Sequence, residues 1–225
     1  GTTSTSGAIT LLEYNTTTAN QSSAVSTVSL PSSGTPQIST SASATSEGNM
    51  ALDNEWTHLI IPGYDAPSGT ASIAGSSSST YNRELFTVST SKVASLGYKQ
   101  NVFTGNNIRG GTANGTNYYA TGNGTGIIMM NTPTTVSTTT TNISPDSNTM
   151  YIADDAAGIL KFTRSGGTGT FAFAYTVNST TCRGLAVDFS TSPYTLYATT
   201  ATSPANSLIK ITDNGSGSTS TTLAT

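Results

Sequence analysis

Apolar residues in this chain come in short runs, and no window repeats them at the i, i+3, i+4, i+7 spacing of an amphipathic helix. Instead Val, Ile, Thr, Tyr and Phe gather in brief segments bounded by Gly, Pro, Asn, Asp and Ser. That is the pattern of β-strands closed by turns. Leu59-Ile60-Ile61 and Ile127-Ile128-Met129-Met130 are the clearest apolar runs. The pattern predicts an all-β protein.

The predicted strands repeat. The last unit reads as strands at Arg183 to Asp188, Thr195 to Thr199, Ser207 to Ile211 and Thr221 to Ala224. Four short strands in about forty-five residues match the length and strand number of a propeller blade. The same grammar recurs at Ile108 to Gly110, Asn117 to Thr121, Gly126 to Met130 and Thr135 to Ser137. Further strands are predicted at Thr149 to Asp155, Gly158 to Phe162 and Phe171 to Val177, and earlier at Asn49 to Leu52, His58 to Tyr64 and Arg83 to Val88. Residues 1–40 supply only a strand pair, Ala8 to Tyr14 and Ala24 to Leu30, which would close the ring or be donated between subunits. The expected fold is one domain over residues 1–225: a β-propeller of four-stranded antiparallel blades, incomplete or completed by a neighbouring subunit.

Composition narrows the function. The chain has 225 residues, of which 8% are charged and 34% hydrophobic, with a net charge of −3. An ordinary soluble domain is about 25% charged. A net charge this small does not drive disorder. The Lys and Arg residues are dispersed, which argues against nucleic acid as a partner and against attachment to an anionic membrane. No apolar run approaches the roughly 20 residues of a membrane helix. A single cysteine, Cys182, rules out an intrachain disulfide. The chain opens on Gly1-Thr2-Thr3 rather than Met, as a processed or trimmed product would.

Asn-x-Ser/Thr sequons occur at Asn15, Asn20, Asn114, Asn123, Asn142, Asn178 and Asn214. The Ser/Thr tracts at Ser76 to Thr80 and Thr134 to Thr141 are candidate O-glycan sites. Covalent glycans would keep a surface with few charges soluble. An extracellular or cell-surface location is therefore expected.

The ordered motifs are Leu11-Leu12-Glu13-Tyr14, Ala44-Thr45-Ser46-Glu47-Gly48, Gly63-Tyr64-Asp65-Ala66, Gly69-Thr70-Ala71-Ser72, Asn82-Arg83, Gly105-Asn106-Asn107-Ile108-Arg109-Gly110 and Tyr151-Ile152-Ala153-Asp154-Asp155, followed by the final unit. Together they resemble a family of secreted, low-charge, Ser/Thr/Gly-rich β-propeller proteins of bacteria and algae. The likeness covers most of the chain. Relative to that family, the region between Asn131 and Thr149 is shortened and the closing C-terminal strands are absent. The resemblance implies a propeller fold and secretion, and no activity.

Little in the sequence suggests catalysis. His58 is the only histidine, no G-x-S-x-G elbow is present, and one His with one Cys cannot make a zinc site. His58 therefore reads as structural. Asp154 and Asp155 are weak calcium candidates, with Asp155 more simply a hairpin residue. Arg109 and Arg183 each precede Gly at equivalent places in the repeat. They read as structural groups that satisfy loop carbonyls, or as an anion-binding pair. Cys182 abuts Arg183 and reads as a buried strand thiol in preference to a reactive one. Trp56, Tyr64, Tyr118, Tyr119 and Tyr194 are either packing residues or platforms for sugars.

The expected function is an extracellular structural protein, a glycosylated subunit of a surface fibre, sheath or filament that self-associates into a homopolymer. No catalytic residues and no cofactor are expected. The alternative is an extracellular glycan- or protein-binding module. A calcium-dependent hydrolase or lyase ranks last.

Overall fold

The computed structural model describes residues 5–15, 21–44, 46–124, 126–131, 135–137, 140–145, 148–165, 171–201 and 206–224, with 135–137 and 140–145 described by backbone alone. Among the described residues the chain is all-β, with twenty strands, one 3-10 turn and no α-helix. No helix among them is long and apolar enough to cross a membrane.

The N-terminal region forms β1 (Ser6–Gly7), β2 (Thr10–Glu13), β3 (Ser26–Ser29) and β4 (Thr40–Ser41). Here β2 pairs with β3 as a hairpin and β1 pairs with β4. Four four-stranded sheets follow. Sheet I is β5 (Ala51–Leu52), β6 (His58–Tyr64), β7 (Arg83–Ser89) and β8 (Ala94–Gln100). Sheet II is β9 (Ile108–Asn114), β10 (Asn117–Gly122), β11 (Gly126–Met129) and β12 (Thr135–Ser137). Sheet III is β13 (Thr140–Pro145), β14 (Thr149–Asp154), β15 (Gly158–Thr163) and β16 (Ala172–Asn178). Sheet IV is β17 (Cys182–Asp188), β18 (Thr195–Thr200), β19 (Leu208–Thr212) and β20 (Ser220–Ala224). In each sheet the strands pair antiparallel in chain order. Tight turns make this order easy; Gly115, at φ 56°, turns β9 into β10 through a two-residue loop.

The strand count differs from the sequence reading in instructive ways. β8 (ASLGYKQ) has almost no apolar run, yet it pairs with β7 along its length. β13 rises partly from the Thr tract, whose β-branched side chains suit an extended backbone.

Successive strand residues point to opposite faces, so a sheet between two others must supply two cores at once. β6 and β7 do this. Ile60 and Leu85 pack toward sheet II, in a core with Ile108, Ala120 and Ile128. Their neighbours Ile61 and Phe86 pack the other way, in a core with Leu30 and Ile38 against which Leu11 and Val28 of the hairpin rest. Sheet II repeats the device, sending Tyr119 and Ile127 toward Met150, Ile152 and Phe162 of sheet III. Sheet III then sends Tyr151, Ala153 and Ile159 toward Leu185, Val187, Leu196, Ala198, Ile209 and Ile211 of sheet IV. The layers in space thus follow the sequence: hairpin, sheet I, II, III, IV. Each fully buried Ile or Leu contributes about 1.5–3 kcal/mol. Close approach is helped at Gly111, where a Cβ would lie 2.2 Å from Leu85 Cδ2 across the I–II junction.

Two polar clusters pin the layers. At the I–II junction Arg83 is fully buried and lies over the Tyr64 ring at 4.9 Å. Its guanidinium donates to the carbonyls of Tyr81 (2.9 Å), Ser76 (3.0 Å) and Asn106 (2.9 Å). Tyr64 in turn donates to Glu47 at 2.6 Å. Burial pushes the Glu47 carboxyl up, against the hydrogen bonds from Tyr64 and Ser41 that favour its charge. At the III–IV junction Asp213 receives hydrogen bonds from Tyr151, from Tyr175 (2.9 Å) and from Lys161 (2.8 Å). Burial alone would raise the Asp213 carboxyl, but the bonds from Lys161 and the tyrosines outweigh it and hold it below the ordinary aspartate value.

Asp213→Ala strands the half-buried Lys161 ammonium and the buried Tyr151 hydroxyl, and is expected to lose about 3 kcal/mol of stability in urea unfolding. Because the native carboxyl ionises below its unfolded value, the stability it contributes is present above about pH 4 and lost as pH falls through the folded value. The wild type should therefore lose stability on acidification more steeply than Asp213→Asn.

Candidate functional site

Sheet IV is the layer that stands open. β14 is buried at every position, as a strand covered on both faces must be. β18 (TLYATT) alternates instead, with Leu196, Ala198 and Thr200 buried and Tyr197 and Thr199 exposed. β17 and β19 alternate in the same phase, so Ala186, Asp188 and Lys210 share the exposed face with Tyr197. Ala186 borders a hollow shared with Met50 and Leu52, while Asp188, Tyr197 and Lys210 stand exposed. Tyr197 is 37% exposed, and Leu208 and Leu223 beside it are 39% and 49% exposed. At the other end of the stack the hairpin covers sheet I, and Leu12, Tyr14 and Val25 of the hairpin are exposed.

The second feature is the turn from β5 to β6. The Asp53 carboxylate accepts hydrogen bonds from the Thr57 amide (2.7 Å) and hydroxyl (2.9 Å), and meets His58 Nδ1 at 2.9 Å. Burial would raise this carboxyl; the bonds from His58 and Thr57 win and lower it. The turn so fixed holds Trp56 at φ 58°, in the left-handed region that a bulky residue rarely adopts. Its side chain is 68% exposed. Trp56 borders two hollows. One, of about 280 Å³, lies between Met50 and Leu52 on one side and Leu185 and Val187 of sheet IV, with Phe189 just beyond β17, on the other. The second, of about 360 Å³, runs toward Leu12 and Val28 of the hairpin, with His58 and Lys92 at its edge.

The sequons fall in varied places. Asn15, Asn123 and Asn214 are exposed and Asn114 is half-buried. Asn178 is engaged on both sides of its amide, donating to the Ser218 carbonyl (2.8 Å) and accepting from the Thr180 amide (2.9 Å). Asn142 belongs to β13, described by backbone alone, and Asn20 lies outside the described residues. Of the Ser/Thr tracts, residues 134, 138 and 139 also lie outside them. In the other tract Ser78 is buried and hydrogen-bonded to Asn101 and Thr104.

Arg109 and Arg183 do occupy equivalent positions. Each is the extra residue of a β-bulge at the start of the first strand of its sheet. Their surroundings differ. Arg183 is exposed, with Nε 3.2 Å from Asp155 Oδ1, whereas Arg109 is half-buried and its Nε is buried without a hydrogen-bond partner. The satisfaction of loop carbonyls expected of this pair is seen at Arg83, which the sequence reading did not single out. Asp154 is buried and caps its own hairpin, its Oδ1 accepting from the amides of Ala156 and Ala157 at 2.8 Å each. Among the described residues no three His, Cys, Asp or Glu side chains gather as metal ligands would. Burial pushes the Cys182 thiol up to about 11. Of the aromatic candidates, Tyr64 and Tyr119 are buried, Tyr118 stacks on Tyr98, Tyr194 packs edge-on to Phe189, and Trp56 stands free of the cores.

No known protein family, curated protein or solved structure matches this chain.

Because Trp56 combines a strained backbone with an exposed side chain, Trp56→Gly is expected to change stability by less than about 1 kcal/mol in urea unfolding, the relief of strain offsetting the added backbone entropy. A loss of about 3 kcal/mol or more would mean that the indole is packed like a core residue.

Proposed function

We propose that this chain is an extracellular, glycosylated structural subunit that assembles head to tail with copies of itself. The observation that carries the reading is the open outer face of sheet IV, set against the hairpin-covered face of sheet I. The occupant that suits the open face is the hairpin end of a second copy. Both surfaces carry exposed apolar side chains among polar ones: Tyr197, Leu208 and Leu223 on one, Leu12, Tyr14 and Val25 on the other. Two different surfaces meeting in this way make a heterologous contact, and such contacts extend into filaments unless the rotation closes. The exposed β20 offers strand pairing at the same junction.

In this reading the four sheets are propeller blades of the secreted, low-charge kind, arranged about their first strands. Two observations support that arrangement: β9 packs beside β5 and β13, and β13 beside β17; and the smaller hollow is bordered by β5, β9 and β17 together. The exposed Asn15, Asn123 and Asn214 are the sequons best placed for glycans.

Sedimentation velocity over a concentration series, with electron microscopy of the same samples, tests the reading. Linear oligomers that grow with concentration are expected. Tyr197→Lys and Leu223→Lys should each weaken association at least tenfold with unchanged circular dichroism. A chain that stays monomeric at high concentration, or that forms only closed dimers, overturns it.

A second reading rests on Trp56. Its free indole beside His58 and Thr57 suits the apolar face of a sugar ring, with polar groups at the edge for hydroxyls. Binding on a glycan array that disappears in Trp56→Ala and persists in Tyr197→Lys would favour this module over the filament.

A further inference from the structure

We propose that Lys99 and Asp65 become joined by an amide bond between Lys99 Nζ and Asp65 Cγ, formed within folded sheet I with the help of the Glu84 carboxyl. Strand register brings the groups together. Glu84 lies directly opposite Lys99 on β8 and opposite Gly63 on β6. Residues directly opposite share a face of the sheet, and so do residues two apart on one strand. Asp65, two residues beyond Gly63, therefore comes alongside the Glu84–Lys99 pair. Lys99 Nζ lies 2.6 Å from Asp65 Oδ2. Gln37 Nε2, 3.4 Å from Asp65 Oδ1, steadies the other oxygen.

The third group is unusual. Glu84 is 1% exposed, and its Oε1 is buried without a hydrogen-bond partner. A buried ionised carboxylate in that state would be very costly. Burial above all, with Asp65 adding to it against the opposing charge of Lys99, pushes the Glu84 carboxyl up to about 9. At neutral pH it is a neutral acid beside an ammonium and a carboxylate.

The chemistry balances without a further reactant. Lys99 begins as an ammonium, kept so by its hydrogen bond to Asp65. It first passes a proton to Asp65, giving a neutral amine and a neutral carboxylic acid. The Nζ lone pair attacks Cγ and the Nζ–Cγ bond forms. The Cγ–Oδ2 bond then breaks as Glu84 delivers its proton to the departing hydroxyl, and Nζ returns a proton to Glu84. The products are the amide and one water, and Glu84 ends as it began. Proximity replaces the encounter of two free groups, and Glu84 serves as general acid and base.

Two other lysine–carboxylate contacts in the chain act as internal comparisons. Lys161 is 2.8 Å from Asp213, but the other groups on that carboxylate are tyrosine hydroxyls and the Gly215 amide. Lys92 is 2.6 Å from Glu13 at an exposed surface. Neither contact has a buried neutral carboxyl beside it, and neither is proposed to react. The proposed bond ties the end of β6 to β8 and closes residues 65–99 into a covalent loop, whether or not the chain assembles into filaments.

The test is mass spectrometry of the purified, folded chain made without glycans, followed by protease mapping. The expected intact mass is one water below that of the sequence, with a branched peptide joining the Asp65 and Lys99 segments and none at Lys161–Asp213 or Lys92–Glu13. Lys99→Arg and Glu84→Gln, each shown by circular dichroism to be folded, should have their full sequence masses. A wild-type chain at full mass overturns the proposal. So does a link that persists in Glu84→Gln.

Discussion

Every inner sheet of this protein has to satisfy two cores with one set of strands. Side chains alternate across a strand, so adjacent residues such as Ile60 and Ile61, or Tyr151 and Ile152, serve different layers. A slip of one residue in register would exchange the two cores and put each strand's side chains on the wrong face. The short meander turns prevent such a slip, because they leave each strand little choice of partner or phase. The sheets can stack only where both faces are apolar. Where one face turns polar, as in β17 to β19, the stack has its open side.

The scarcity of charge gives the buried charges weight. With 8 Lys and Arg and 11 Asp and Glu in the chain, Arg83, Glu84, Asp154 and Asp213 are all buried. Apolar contacts tolerate small shifts, whereas the Arg83 fork and the Asp213 cluster demand particular partners from particular loops. They define how sheet I meets sheet II and how sheet III meets sheet IV. Arg83 leaves its Nε unpartnered and Glu84 its Oε1, but of the three acids only Glu84 does so, which is why it stands out as a chemical group and not only as a structural one.

Much of this was legible in the sequence because the alternation is local. The four strands of sheet IV, the hairpin turns and the equivalence of Arg109 and Arg183 all follow from spacing. β8 was not legible, because its ASLGYKQ segment owes its extended form to pairing with β7. β13 was obscured by the likeness of a Thr-rich strand to a Thr-rich tract. The role of Arg83 depends on carbonyls from loops far apart in the chain, among them Asn106, and spacing cannot show that. For Glu84 a signal did exist: it directly precedes the apolar pair Leu85-Phe86 in a strand, and an acid buried in such a run is either paired or neutral.

The layers are stacked in the order in which they are made. As the chain emerges during synthesis, the hairpin is available when sheet I forms, and each later sheet finds its neighbour already in place. Every junction therefore joins sheets that are consecutive in the chain, so folding can proceed layer by layer. The same order sets where the protein comes apart. Sheets I to III are each held by two junctions and sheet IV by one. The hairpin too has a single junction, so thermal opening starts at the two ends of the stack and amide protection is greatest in its middle sheets.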